Sequence, residues 1–190
     1  MHFSQTDAEP EGAPATDVAI EFIGVDDLAL IEPLWADLVE HHRSFKGFPP
    51  LREPADSWPR MVALYRELLE EPDAFLMVAR RGDDVVGYAA VRTQGPEQVW
   101  KTGERLAELE TLSIAEGERG SGVGTLMMDE VERECARRGI DDLFIGVEIF
   151  NQGAFRFYER LGYHHCFTWL YGKPATMLKE RDPEEKAGGR

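Results

Sequence analysis

Residues 109 to 139, LETLSIAEGERGSGVGTLMMDEVERECARRG, set the strongest constraint on how this chain folds. A strand-like run, LETLSI, enters a turn carrying Gly117, Gly120, Gly122 and Gly124. It leaves as a long segment with Leu126, Met127, Val131 and Cys135 on one helical face. Such a passage gathers several backbone N–H groups at a helix N-terminus, where the dipole favours negative charge. The physical expectation is an anion site, with a phosphate as the natural ligand. Gly139 stops the helix, as a glycine just past a helix end commonly does.

Spacing narrows which phosphate. No Gly-Lys-Ser/Thr follows the turn, so the P-loop pattern fails, and a dinucleotide fingerprint would need a third glycine where Thr125 stands. The turn also comes after about half the chain, not in a first βαβ unit. The net charge of -15 opposes binding to a nucleic-acid backbone, which rewards Lys/Arg surfaces, and suits cationic small molecules better. Two cysteines, Cys135 and Cys166, are too few for a disulfide framework or a zinc ribbon, which points to a reducing cytoplasm. No stretch approaches the ~18 apolar residues of a spanning helix, and the N-terminus has neither the basic flank nor the apolar core of a signal peptide.

With 190 residues and 43% hydrophobic content, the length prior favours one domain. Residues 1–17, rich in Pro, Ala, Gly and acids, read as a disordered leader, and 180–190 as a disordered tail, leaving 18–179 as the domain. VAIEFIG (18–24) reads as a strand. A helix is expected from Glu32 and Pro33, since proline is tolerated in a first turn, and a second over DSWPRMVALYRELLEE with Ser57 or Asp56 as cap. AFLMVARR and VVGYAAVRT form a hairpin around GDD. RLAELETLSI and DDLFIGVEI read as strands, QGAFRFYERLG as a short helix ended by Gly162, and YHHCFTWLYGKPATMLK as a final hairpin. The order β, α, α, β, β, β, α, β, α, β, β predicts an α/β (α+β) fold. Its mixed, mostly antiparallel sheet has about seven strands, flanked by about four helices.

Two motifs carry a family resemblance. Arg119-x-x-Gly122-x-Gly124, after LETLSI and opening the helix, resembles the (Gln/Arg)-x-x-Gly-x-(Gly/Ala) signature of the GNAT superfamily of acetyl-CoA-dependent N-acetyltransferases. About 30 residues on, NQGAFRFYERLGY is similar to a second element of that superfamily, with Asn151, Ala154, Tyr158 and Gly162 in place. The resemblance covers roughly residues 18 to 179 and also fits the element order.

What the resemblance implies is specific. The pantetheine arm of acetyl-CoA would pair with the backbone of Leu112, Ser113 and Ile114, where side-chain identity matters little. The pyrophosphate would sit on the amides of Arg119, Gly120, Ser121, Gly122, Val123, Gly124 and Thr125, and Asn151 would hydrogen-bond the arm. Glu116 stands where many members have proline, and the acids of AEGE oppose an anion, an effect Arg119 partly offsets.

Acetyl transfer from a thioester to an amine needs a neutral amine, an oxyanion donor and a proton for the thiolate. Tyr158 resembles the family's general acid, and a phenol suits that task because its pKa lies above that of the thiolate. The N–H near Ile114 is the oxyanion donor. Glu110 is the favoured base; Glu108 shares its strand face, Glu148 is a third candidate, and a water chain could replace all three. A bulge near residue 113 would change which face lies inside.

The acceptor site implied by the resemblance is framed by His41, His42, Phe45, Phe48, Tyr171 and Trp100, an aromatic wall suited to a cationic or amphipathic amine. His164, His165 and Cys166 alternate faces on a strand and cannot chelate together, so no metal is expected. The implied activity is acetylation of a small-molecule primary amine, with protein N-terminal or lysine acetylation and an inactive coenzyme A-binding sensor as alternatives. No nucleic-acid or membrane partner is expected; a homodimer and an acyl group other than acetyl stay open.

Overall fold

The computed structural model describes residues 17–45, 49–174 and 176–177. The expectations for residues 1–16, for Phe48 and for 180–190 fall outside them. The elements run β1 (Val18–Ile23), a 3-10 turn (Val25–Ile31), α1 (Glu32–Arg43), α2 (Pro54–Glu70), β2 (Phe75–Arg81) and β3 (Asp84–Gln94). They continue with β4 (Leu106–Ile114), a short 3-10 turn (Glu116–Glu118), α3 (Val123–Arg137), β5 (Asp142–Ile145) and α4 (Gln152–Arg160).

The strands lie in the order β1-β2-β3-β4-β5, antiparallel except for the parallel β4–β5 pair. Both faces are covered, so the central strands are buried on both sides. Phe75, Met77, Ala79, Ala89 and Val91 point to a core closed by α3 and α4, while Leu76, Val78, Tyr88 and Ala90 point to one closed by α1, α2 and the first 3-10 turn. That two-sided burial explains why these strands read as near-continuous apolar runs instead of alternating ones. The architecture is the mixed α+β arrangement expected, with helices flanking a mostly antiparallel sheet.

The strand count differs. Among the described residues there are five strands, not about seven, because the expected final hairpin is absent from 163–174. Pro174 opens a helical turn, in which the Thr176 and Met177 amides donate to Lys173 O. Trp169 and Leu170 are 86% and 94% exposed, so the segment's β-rich composition finds no partner edge to pair with. β5 is likewise shorter than DDLFIGVEI, since the chain turns away at Gly146.

Smaller departures have local causes. α2 starts at Pro54, with Glu53 in extended conformation before it, so neither Asp56 nor Ser57 caps it. The Ser57 hydroxyl instead donates back to Glu53 O at 2.9 Å. Proline at the first helical position is the signal that sets this boundary. On α3, Met128 is buried while Leu126 is only half-buried, so the inner stripe runs Val123, Met127, Val131 and Cys135 with Met128 beside it. Gly139, at φ 69, ends α3 as expected, with Ile140 N donating to Cys135 O. Among the described residues, no helix is long and apolar enough to cross a membrane.

Candidate active site

The site begins where two neighbouring strands part. β4 pairs with β5 only from Leu106↔Asp142 to Leu109↔Ile145, while β4 itself continues to Ile114 along β3. The edge of β4 beyond Leu109 therefore carries no strand on the β5 side, and its backbone polar groups there face a wedge-shaped opening. A bulge falls at the same point: Ala90 pairs with Thr111 and Val91 with Leu109, so Glu110 is the extra residue. The expected bulge near 113 thus lies three residues earlier. Leu109 before it and Leu112 and Ile114 after it all pack on the α3 side.

A cleft of about 90 Å³ occupies the opening. It is lined by Leu38 and His42 of α1, Leu109 to Leu112 of β4, Ile145 to Glu148, and Asn151, Ala154 and Tyr158 at α4. A larger cavity of about 1060 Å³ runs along the outer side of β5 and shares Ile145, Gly146, Val147, Glu148 and Tyr158 with it. Glu108 and Trp100 line that second cavity, and the Trp100 ring stacks on Phe144 at 6.2 Å.

Tyr158 is half-buried beside Phe157 and Tyr163, with ring centroids 5.0 and 6.0 Å away. Its hydroxyl makes no hydrogen bond to another described residue, and burial pushes its pKa well above the usual phenol value. The group is thus a neutral donor throughout the physiological range. Asn151 caps α4, its Oδ1 accepting from Ala154 N at 3.0 Å. This leaves the Nδ2 amide as the end able to donate to a ligand.

The two carboxylates of the cleft differ in their partners. Glu110 lies 2.8 Å from Arg92 Nη1, and Arg92 Nε is 3.1 Å from Glu71 at the end of α2. Burial raises the Glu110 pKa first, Arg92 opposes it, and Glu108 and Glu71 add to the rise. Glu148 has one oxygen 3.4 Å from His42 Nδ1 and the other buried without a hydrogen-bond partner among the described residues, and burial raises its pKa too. Glu108 accepts from Gln94 Nε2 at 3.0 Å on the same face as Glu110. His41, His42 and Phe45 form an aromatic group at the end of α1, with His41 and Phe45 rings 5.0 Å apart. Tyr171 is exposed and far along the chain from any strand, and His165 stacks on Phe155 and pairs with Glu159.

The loop after β4 has the conformation its glycines suggest. Gly120 and Gly122 sit at φ 78 and 94, a region that favours glycine, and Gly122 is the N-cap of α3. The amides of the first helical turn have no intrahelical acceptor and are available to an anion. Gly124 serves a further purpose: a Cβ there would meet the Phe157 ring at 3.4 Å, so its small size also lets α4 approach α3. Arg119 is exposed, with its Nε 3.4 Å from Ile114 O. Of the strand and loop positions named from the sequence, Leu112 lines the cleft with Asn151 and Tyr158, whereas Ser113, Ile114 and residues 119–125 line neither cavity. The positive-φ glycines and the open β4 edge fit an extended thioester with a diphosphate.

Several contributors escape the sequence reading. Ser113 is buried and donates its hydroxyl to Leu34 O at 3.1 Å, so its side chain ties α1 to β4. Thr111 meets Tyr65 at 3.0 Å, and Tyr65 meets Tyr88 at 3.3 Å, a buried hydroxyl chain behind the bulge. Gly87 permits the close approach of Ile114 and Met127, whose atoms would lie 2.8 and 2.9 Å from a Cβ there. Alternating burial of hydroxyl residues was the one signal available for the first two; the third had none beyond a glycine in a strand.

Comparison with known proteins places this geometry. A sequence model described as the Acetyltransferase (GNAT) family matches residues 35–163. An uncharacterized N-acetyltransferase of Methanocaldococcus jannaschii is 26% identical over 125 residues, covering 65% of this chain and 53% of that protein. The streptothricin acetyltransferase of Streptomyces lavendulae is 32% identical over 98 residues, covering 51% of this chain and 48% of its own. The match thus spans about half the length of these curated relatives. Among solved structures, an aminoglycoside 6'-N-acetyltransferase from Acinetobacter baumannii has the same fold, with a TM-score of 0.62 at 16% identity over 82% of this chain and 97% of that one.

Proposed function

Since this chain belongs to the Acetyltransferase (GNAT) family, we propose that it is an acyltransferase that moves an acetyl group from acetyl-CoA to a primary amine of a small molecule, with Tyr158 as general acid. The observation that carries this reading is the Tyr158 phenol, neutral and with no hydrogen bond to its hydroxyl among the described residues, at the junction of the β4–β5 cleft and the larger cavity. The similarity to a streptothricin acetyltransferase supports a small-molecule acceptor, and the acidic lining from Glu108, Glu110 and Glu148 supports a cationic one.

Acetyl-CoA supplies an activated thioester. The residues of this chain do the rest. The amides of Gly120 and of Gly122 to Thr125 hold the diphosphate, those of Arg119 and Ser121 being engaged within the loop, and the open backbone of Leu112, Ser113 and Ile114 holds the arm in extended form. Asn151 Nδ2 fixes the arm from the opposite wall. The N–H near Ile114 receives the oxyanion that forms when the amine attacks, and Tyr158 gives its proton to the departing sulfur. Glu110 accepts the proton from the ammonium. Glu148 is a second reading for this base, favoured by its buried, unpartnered oxygen and its place on the opposite wall, whereas Glu110 already holds Arg92.

The test is a panel of amines, including streptothricin-like and aminoglycoside compounds, assayed for thiol release with the product mass measured. A gain of one acetyl group on a small amine supports the reading. Donor binding without turnover on any amine would favour a coenzyme A sensor.

A further inference from the structure

The acids that precede the phosphate loop pose a physical problem: Glu118 sits one residue before Arg119, where an unscreened carboxylate would repel a diphosphate. The structure shows what offsets it. Arg81, the last residue of β2, donates from Nε to Glu118 Oε1 and from Nη2 to Glu118 Oε2, each at 2.9 Å. The two side chains are only 18% and 17% exposed. Glu118 in turn anchors the loop: Ser121 Oγ donates to Glu118 O at 2.7 Å and lies 3.3 Å from its Oε2, and Ser121 N donates to Glu118 O at 3.3 Å. Arg81 also pairs with Asp17, so one guanidinium ties the edge of β1 and the loop to the end of β2.

We infer that Arg81 is a positioning residue for donor binding: its two-pronged contact holds and cancels the Glu118 charge beside the turn that Ser121 fixes on Glu118 O, so that the glycine amides can face the diphosphate. The inference rests on the reading that this loop takes the diphosphate of acetyl-CoA. Bidentate pairing is what makes arginine suited to the place, since lysine offers a single point charge and no fork. The direction of the Glu118 titration agrees, because the Arg81 hydrogen bond is the first cause holding its carboxyl below the usual range. Glu118 therefore stays ionised at neutral pH, and without Arg81 its charge would stand uncompensated beside the loop.

The experiment compares two donors, acetyl-CoA and S-acetylpantetheine, which lacks the diphosphate. Arg81→Met should raise KM for acetyl-CoA by about 5- to 30-fold, the factor for one uncompensated, partly buried charge near a phosphate, with kcat retained. KM for S-acetylpantetheine should stay at the wild-type value. Arg81→Met combined with Glu118→Gln should recover most of the acetyl-CoA affinity, because the repelling charge is gone. Should Arg81→Met fail to fold, Glu118→Gln alone decides: KM for acetyl-CoA at or below wild type supports the inference, and a marked rise overturns it. Equal losses with both donors, or no recovery in the double variant, would also overturn it. A wild-type enzyme with the same KM for both donors would instead refute the loop's role as diphosphate site, and this inference with it.

Discussion

His42 Nδ1 lies 3.4 Å from Glu148 Oε1, joining the last turn of α1 to the segment that leaves β5. Burial holds the imidazole below its usual pKa, with His41 adding to the effect, and burial holds the carboxyl above its own. Both shifts favour the uncharged forms, so the contact is a polar closure of the cleft and not a strong ion pair.

The stability consequence follows from the sign of the Glu148 shift. Its folded pKa lies above the unfolded one, so the folded state binds more protons and stability falls as pH rises from the ordinary carboxylate value through the raised one. Above that window the full penalty remains. Glu148→Gln cannot ionise and should raise Tm by about 1–4 °C at about pH 7, with little change at about pH 4. His42 acts in the opposite direction but is common to both proteins at each pH. Melting curves showing the same Tm difference at both pH values would remove the buried charge as the cause.

Tyr158→Phe deletes one oxygen that no described residue bonds, so packing against Phe157 and Tyr163 should survive. The chemical step should slow by about 10²-fold, the low end for a general acid because thiolate is a tolerable leaving group. Donor affinity, read by calorimetry, should be unchanged. Full turnover in single-turnover kinetics would assign the proton to water.

Glu110→Gln separates the two carboxylates. Burial puts the Glu110 pKa above the ordinary carboxylate value, so a base role gives a rate that rises with pH through that raised value. The variant should lose activity chiefly at low pH, where the ammonium dominates, by about 10- to 100-fold, and much less where free amine is abundant. A wild-type pH profile at full rate would transfer the role to Glu148, whose Gln variant is then the one to show that shape.

Gly87→Ala tests the packing under the site. The new methyl would meet Ile114 Cδ1 and Met127 Sδ, both flexible ends, but also Ser113 O at 3.2 Å, which is backbone and moves less readily. Urea unfolding should show a loss of about 1–3 kcal/mol. An unchanged midpoint would mean that β3 and β4 have slack at this point.

How much of this could be read from the chain alone depends on the range of the interaction. The turn from β4 into α3 was legible because its glycines mark local φ demands, and Gly120, Gly122 and Gly139 all sit at positive φ. The start of α2 was legible only in Pro54, whose fixed φ suits a first helical position, and not in the polar residues Asp56 and Ser57 that follow it inside the helix. The bulge at Glu110 was misplaced for a different reason: register belongs to a pair of strands and is not written in either one. The meetings of Arg81 with Glu118 and of His42 with Glu148 join residues 37 and 106 positions apart, and a single sequence contains no spacing rule for such encounters. The final hairpin was expected from composition, yet the β-rich residues past α4 stay exposed because strand propensity without a partner edge fixes nothing.

The bulge makes position 110 a matter of counting as much as of chemistry. Upstream of it the odd-numbered residues Ala107 and Leu109 face α3; downstream the even-numbered Leu112 and Ile114 do. Exchanging the glutamate for another side chain leaves that parity intact. Deleting the residue would leave it intact as well: Thr111 would follow Leu109 in regular alternation, Leu112 and Ile114 would stay toward α3, and Ser113 would stay toward Leu34. What the extra residue adds is the local bend and twist of a bulge, so its loss would straighten β4 where it parts from β5 without turning either half of the strand over.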